Sequence, residues 1–448
     1  MQGYHTYKDS EVEWIGTVPT SWDITPLFTV ASESKISNKG MIENNLLSLS
    51  YGRIIQKDIE TLGGLLPGSF ETYQVVNEND IIFRLTDLQN DKRSLRSAIC
   101  DERGIITSAY VAVTPKKIRP KFMHYLMRSY DETKVFYNLG SGMRQSLKYD
   151  ELKRLPLVTP PESDQEQIEN FLDRETARID NLIAEKQTFI KLLKEKRQAL
   201  ISHVVTKGLD PSVKMKDSGV EWIGEVPEHW EHGKIKYIAR VSNGATPNRD
   251  TNEFWDGGTV GWLNSSKVND VYIENADQFI TELAVEKTSV QPVKPNDLVM
   301  AITGEGQTRG RVAICKAHAT INQHLAAISV TRKQIDVEYL FFWLTSQYLR
   351  IRYESSGAGS TKGAITCTDI GCYPVPIPPR AEQELIVSAV KEKLSSHDAL
   401  QRETESSIKF LQEHRTALIS AAVTGKIDVR SQVPTSPDRP QPQESAHA

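Results

Sequence analysis

In the segment SGMRQSLKYDELKRLP (141–156), glycine lets a backbone approach a phosphate, Arg144 can fork onto guanine, Gln145 can pair with adenine, and Lys148 adds positive charge. Lys92, Arg93 and Arg96 form a second basic group upstream. Further along, SSGAGSTKGAITCTDIG (355–371) offers Lys362 among small hydroxyl residues, and ITGEGQTRGRVAI (302–314) reads as a tight turn presenting Gln307, Arg309 and Arg311. That turn lacks the Gly-Lys-Ser/Thr ending of a phosphate loop, so its expected use is structural or DNA-facing rather than ATP binding. These residues are the candidate DNA contacts, and each basic cluster would equally suit an ordinary solvated surface.

Chemistry beyond binding is missing from the sequence. There is no zinc-hydrolase motif, nucleophile elbow or dinucleotide fingerprint, and no Asn-Pro-Pro-Tyr-type motif of an amino-methyltransferase. Cys100, Cys315, Cys367 and Cys372 are scattered without a second matching pair, which leaves zinc binding unsupported and no metal expected. A formal net charge of −4 argues against a protein that coats nucleic acid through bulk charge. Residues 24–155 nevertheless carry 19 Lys or Arg against 15 Asp or Glu, a local net of +4. No run of roughly 20 apolar residues is present to span a bilayer, and the first residues lack the pattern of a signal peptide, so a cytoplasmic location is expected.

The elements that must position these residues are written twice. DSEVEWIGTVPTSW (Asp9 to Trp22) returns as DSGVEWIGEVPEHW (Asp217 to Trp230), 208 residues later. LPLVTPPESDQEQIENFL (155–172) returns as YPVPIPPRAEQELIVSAV (373–390), and KEKRQALISHVVTKGLD (194–210) as QEHRTALISAAVTGKID (412–428), both at an offset of 218. A period this long signals duplicated domains rather than a solenoid. The opening motif reads as an extended segment and turn whose tryptophans pack it onto its domain.

Between the repeats lie β-like runs such as 74–85, 104–115, 297–303 and 325–330, with helix candidates at 121–130 and 338–351. After each double proline the pattern turns helical. Ser163 and Glu166 have capping-box spacing, and Ile168, Leu172, Ile179, Leu182, Phe189, Leu193 and Leu200 form an apolar stripe. The second stripe is read as Leu385, Ala389, Leu394, Leu400, Ile408, Leu411 and Leu418. About 40 helical residues make a rod on the order of 60 Å, which needs a partner for its stripe. Pairing of the two rods within the chain is the economical arrangement, and dimerisation of the whole protein through them is the alternative.

Taken together, the doubled EWIG-x-VP-x-x-W motif, the double-proline exits and the repeated ALIS-x-x-VT helix ends resemble the specificity subunit of type I restriction-modification systems, the HsdS-like family. The likeness reaches to about Arg430; the tail beyond is proline-rich and polar, with the composition of a disordered segment. Departures are small: Arg380 stands where the first half has Glu162, and His414 where it has Lys196.

The resemblance implies a mixed α/β (α+β) fold: two homologous target-recognition domains separated and joined by two long helices forming an antiparallel coiled coil. It implies a first recognition domain over 1–160, a first helix over 161–208, a second domain over 209–378, a second helix over 379–430 and a tail over 431–448. It further implies that the chain reads a bipartite sequence in double-stranded DNA and is not itself an enzyme. Two modification (methyltransferase) subunits using S-adenosylmethionine would methylate adenine, and restriction (motor-nuclease) subunits using ATP and Mg2+ would cut, so no cofactor is expected on this chain. A protein-binding scaffold and a stand-alone methyltransferase or nuclease are the competing classes.

Overall fold

The computed structural model describes residues 2–58, 69–88, 94–139, 146–304, 306–356 and 363–432. They form two compact units, one made of residues 1–186 with 405–448 and the other of residues 187–404. Four helices organise them: α1 (Pro120–Glu132), α2 (Glu162–Lys207), α3 (Val337–Ser346) and α4 (Arg380–Val423). The expected division into domains and separate rods is drawn differently here, because each unit contains one sheet-bearing domain together with part of α2 and part of α4.

In the first unit, a four-stranded antiparallel sheet runs in the order Ser97–Ile99, Ile81–Phe83, Val111–Pro115, Ala31–Ser34. Gly104–Ile106, Gln74–Val76 and Ile36–Ser37 make a second sheet. Phe83, Phe122, Leu126, Tyr130 and Phe136 fill the space between sheet and α1. The core continues into Ile168, Leu172 and Ile179 of α2 and Leu418, Ile419 and Val423 of α4. The first residues meet the segment after α4 here: Asp428 N donates to Gln2 O at 2.9 Å, and the Tyr7 hydroxyl donates to Gly425 O at 3.1 Å.

The second unit repeats this plan with a larger sheet, Ala239–Asn243, Leu325–Val330, Leu298–Ala301, Val312–Cys315, Tyr272–Ile273, whose last pair is parallel. A four-stranded sheet (Gln278–Ile280, Val260–Leu263, Ala319–Ile321, Gln291–Val293) is added beside it. The helix expected over 338–351 is broken at Gln347: α3 ends at Ser346 and a short helix, Tyr348–Glu354, follows. α3 is apolar nearly all round because Tyr339 to Leu344 are buried on every face.

The opening motifs dock through their second tryptophan, while Trp14 of the first motif is 40% exposed rather than packed as expected. Trp22 and Trp230 are buried, and their indole N–H groups donate to Asp164 (2.9 Å) and Glu382 (3.1 Å), equivalent acids in the first turns of α2 and α4. Asp164 therefore serves the tryptophan, and α2 already runs from Glu162, so the capping box at Ser163 does not mark the helix start. Gly208 follows α2 in the left-handed region, φ 77°, the usual backbone stop for a helix.

The two long helices bond to each other inside both units. In the first, Arg415 Nε and Nη2 donate to the two Asp180 oxygens at 2.9 and 3.2 Å. In the second, Arg197 donates to Asp398. Asp180 and Asp398 occupy the same place in the 218-residue repeat, as do Arg197 and Arg415, so duplication supplies one bridge twice with the helices exchanging roles.

The apolar stripe differs from the sequence reading in α4. Leu385 is 62% exposed and Leu400 is also exposed, whereas Ile386 and Val390 are buried along with Leu394, which the stripe included. Ile168, Leu172, Ile179, Leu193 and Leu418 are buried as expected, and Leu182 and Leu411 are half-buried.

Candidate nucleic-acid interface

Each unit draws two loop segments, distant in sequence, to one place. In the first, Leu147 N donates to Leu85 O at 2.9 Å, joining the chain leading to 146–148 with the loop that begins after the Ile81–Phe83 strand. In the second, Ile365 N donates to Ile302 O at 2.8 Å, joining the chain that follows 357–362 to the glycine-rich turn. These bonds fall at equivalent repeat positions. They join described residues that flank the candidate clusters of each half.

Several candidates, Lys92, Arg93, Arg144, Gln145 and Lys362, lie outside the described residues. Lys148 is exposed at the start of the short helix Tyr149–Leu152. Gln307 is exposed on the glycine-rich turn, and its Oε1 accepts from Arg311 Nη2 at 3.4 Å. Arg311 is half-buried and also donates from Nη1 to Asn269 at 2.8 Å. The turn closes with Gly310 N donating to Ala301 O at 2.8 Å; Gly310 has φ 85°, a conformation a side chain would strain.

Two candidates are corrected. Arg96 is 0% exposed: its guanidinium donates to Tyr137 Oη (3.2 Å), Thr86 O (3.2 Å) and Asp87 O (3.4 Å), so it braces the loop from inside. Arg309 is 5% exposed, and a Cβ added at Gly363 would collide with its guanidinium, so it packs beneath the neighbouring segment. Both lie where a loop meets the core, and Arg96 has the internal partners that burial of a charged group demands.

Beside Arg96, the buried carboxylate of Asp131 accepts from Arg96 N (2.7 Å) and from Ser97 N and Oγ (both 3.0 Å). Burial pushes the Asp131 carboxyl up to about 6, although these hydrogen bonds act in the other direction. In the second unit, the Arg249 guanidinium lies 3.8 Å from the centroid of Trp255 and 4.9 Å from that of Trp262. Sequence reasoning passed over this pairing, although its three residues lie within the single stretch 249–262, because they form no recognised motif. Among the described residues no cluster of His, Cys, Asp and Glu is arranged to hold a metal ion, and no helix is long and apolar enough to cross a membrane.

The architecture agrees with what sequence comparison finds. Residues 227–409 match the type I restriction modification DNA specificity domain. The MjaVIII specificity subunit of a type I restriction enzyme from Methanocaldococcus jannaschii is 25% identical over 366 residues, 80% of this chain and 81% of that protein. A solved chain described under complex assembly and conformational transition of the type I R-M system superposes with a TM-score of 0.69 at 17% identity, covering 92% of this chain and 99% of its own. The HsdS subunit from Thermoanaerobacter tengcongensis gives 0.54 at 16% identity, covering 92% and 98%. These two likenesses concern the fold. With the doubled opening motif and doubled helix ends, the matched domain and these relatives make this chain similar to type I restriction enzyme specificity subunits.

Proposed function

We propose that the chain reads DNA sequence for a type I restriction-modification complex, one half of a split target per unit, and that partner subunits carry out the chemistry. The observation that carries this reading is the repeated convergence of loops at Leu85 with Leu147 and at Ile302 with Ile365: one frame presenting two different sets of side chains. Two different readers on one scaffold are what a bipartite, asymmetric target requires. Reading a few base pairs yields roughly 1–3 kcal/mol of discrimination per pair, and two readers on a common helical framework add their contributions.

The helices carry the partner-facing part of the proposal. Leu192 on α2 is 55% exposed and Phe410 on α4 is 68% exposed, and they occupy the same position of the 218-residue repeat. One exposed apolar residue in each unit fits two copies of one modification subunit, each burying one of them. S-adenosylmethionine, ATP and Mg2+ belong, in this reading, to the partners, and the complex works in the cytoplasm.

The test is coexpression with the adenine methyltransferase subunit of its system, followed by mapping of methylated adenines in the host genome. A two-part motif that appears only when this chain is present is the expected result. Methylation without a motif, or a motif that persists without the chain, would remove the proposal.

A further inference from the structure

The turn that joins the Ala319–Ile321 and Leu325–Val330 strands has a duplicate in the first unit, between Gly104–Ile106 and Val111–Pro115. Both turns are built the same way. Thr107 Oγ1 accepts from Ala109 N (3.3 Å) and Thr107 O from Tyr110 N (3.1 Å); Asn322 Oδ1 accepts from His324 N (3.0 Å) and Asn322 O from Leu325 N (3.1 Å). The two tip residues are exposed in both turns but differ entirely: Ser108 and Ala109 in one, Gln323 and His324 in the other. Duplication has kept the frame and exchanged the side chains at its tip. Packing does not require that exchange, because the tips touch solvent.

In the second unit the tip side chains are held in a chain of hydrogen bonds. Thr246 Oγ1 donates to Gln323 Oε1; Gln323 Nε2 donates to His324 Nε2 at 3.2 Å; and His324 Nδ1 bonds Thr303 Oγ1 at 2.7 Å. Since the amide nitrogen can only donate, His324 Nε2 accepts and its proton sits on Nδ1, directed at Thr303. One Oε1 lone pair and one Nε2 hydrogen of Gln323 are left over on the exposed amide. The same turn is anchored to the loop cluster, because Ile302 N donates to His324 O at 3.0 Å while Ile302 O accepts from Ile365 N.

We infer that Gln323 is a base-reading residue of the second unit, taking the major-groove edge of an adenine, and that Thr246, His324 and Thr303 are positioning residues that orient its amide. An acceptor beside a donor matches adenine N6–H and N7, whereas guanine offers two acceptors there. The inference deepens the proposed function and rests on it.

The test uses the full chain assembled with its methyltransferase subunit and a library of DNA duplexes, with methylation of each sequence counted. Wild-type protein should give a two-part motif; if it gives none, DNA reading itself fails, and this inference with it. Given that motif, Gln323→Ala should lower discrimination at one adenine of a single half-site on the order of tenfold and leave the other half-site unchanged. Gln323→Glu, which loses the donor and keeps an acceptor, should shift that position towards cytosine, whose N4 donates. His324→Ala should relax the same position, and His324→Gln should retain more of the preference. A motif unchanged at every position in Gln323→Ala and Gln323→Glu, or an equal weakening of both half-sites, would overturn the inference.

Discussion

Replacing Ile179 by alanine separates the two forces that join α2 and α4 in the first unit. Ile179 is fully buried in a core with Leu418, Ile419 and Ala422, and truncation of such a side chain costs about 2–5 kcal/mol. A cavity of about 540 Å³, lined by Asp180, Ile183, Arg415 and Ile419, already opens beside this site, so water can reach the space left behind. A hydrated space costs less than a sealed void, which places the expected loss in the lower part of the range, about 2–3 kcal/mol. The neighbouring Asp180–Arg415 bridge is bidentate, but its side chains are 45% and 31% exposed, so removing it with Asp180→Ala should cost only about 0.5–1 kcal/mol. Two units can unfold separately, so the readout is native-state hydrogen exchange of the α1 amides, which report on the first unit. Exchange should quicken roughly 30- to 150-fold in Ile179→Ala and no more than about fivefold in Asp180→Ala. If the charge deletion accelerates exchange as much as the apolar truncation, then the ion pair and not packing holds this part of the molecule, and the reasoning is wrong.

Other expectations follow from the same geometry. Arg96→Met should destabilise the first unit by about 1–3 kcal/mol, because Thr86 O and Asp87 O lose a buried donor, whereas Gln307→Ala should leave stability within about 0.5 kcal/mol and alter target preference; thermal melts with methylation maps distinguish them. Asp131 titrates at about 6 in the folded protein against an ordinary value of 3.8, so its ionisation opposes folding. That penalty is absent below about pH 4, grows as pH rises towards 6, and reaches about 3 kcal/mol at most; Asp131→Asn should lose this dependence, and parallel stability curves for the two proteins between about pH 4 and 7 would contradict it. Leu192→Asp and Phe410→Asp should each remove one modification subunit from the assembled complex, measured by native mass, with the unbound chain still folded; full stoichiometry in both would dismiss these residues as docking points.

Much of the architecture was legible because duplication wrote it twice. Trp22 with Asp164 and Trp230 with Glu382 form the same docking bond, and the residues that make it stand in the repeated motifs. The stripe on α2 was readable at Ile168, Leu172 and Ile179, where apolar residues recur at helical spacing and polar ones fill the other faces. In α4, leucine content pointed to Leu385 as well as Leu394, yet Ile386 and Val390 are the residues buried with Leu394. Two adjacent apolar residues satisfy a helical period almost equally well, and only the presence of a packed neighbour selects the face.

The candidate site divided along a similar line. Sequence by itself determined that two homologous domains exist, that each carries polar, basic, glycine-rich loops, and that two long helices follow them, because repetition and period are properties of the chain. Tertiary structure alone decided that Arg96 and Arg309 point inward, that the loop segments meet at Leu85 and Ile302, and that Gln323 stands exposed on a turn whose duplicate carries serine. The direction of a loop side chain depends on which distant strands and helices lie behind it, and hydrogen bonds between segments about 60 residues apart leave no periodic mark in the sequence.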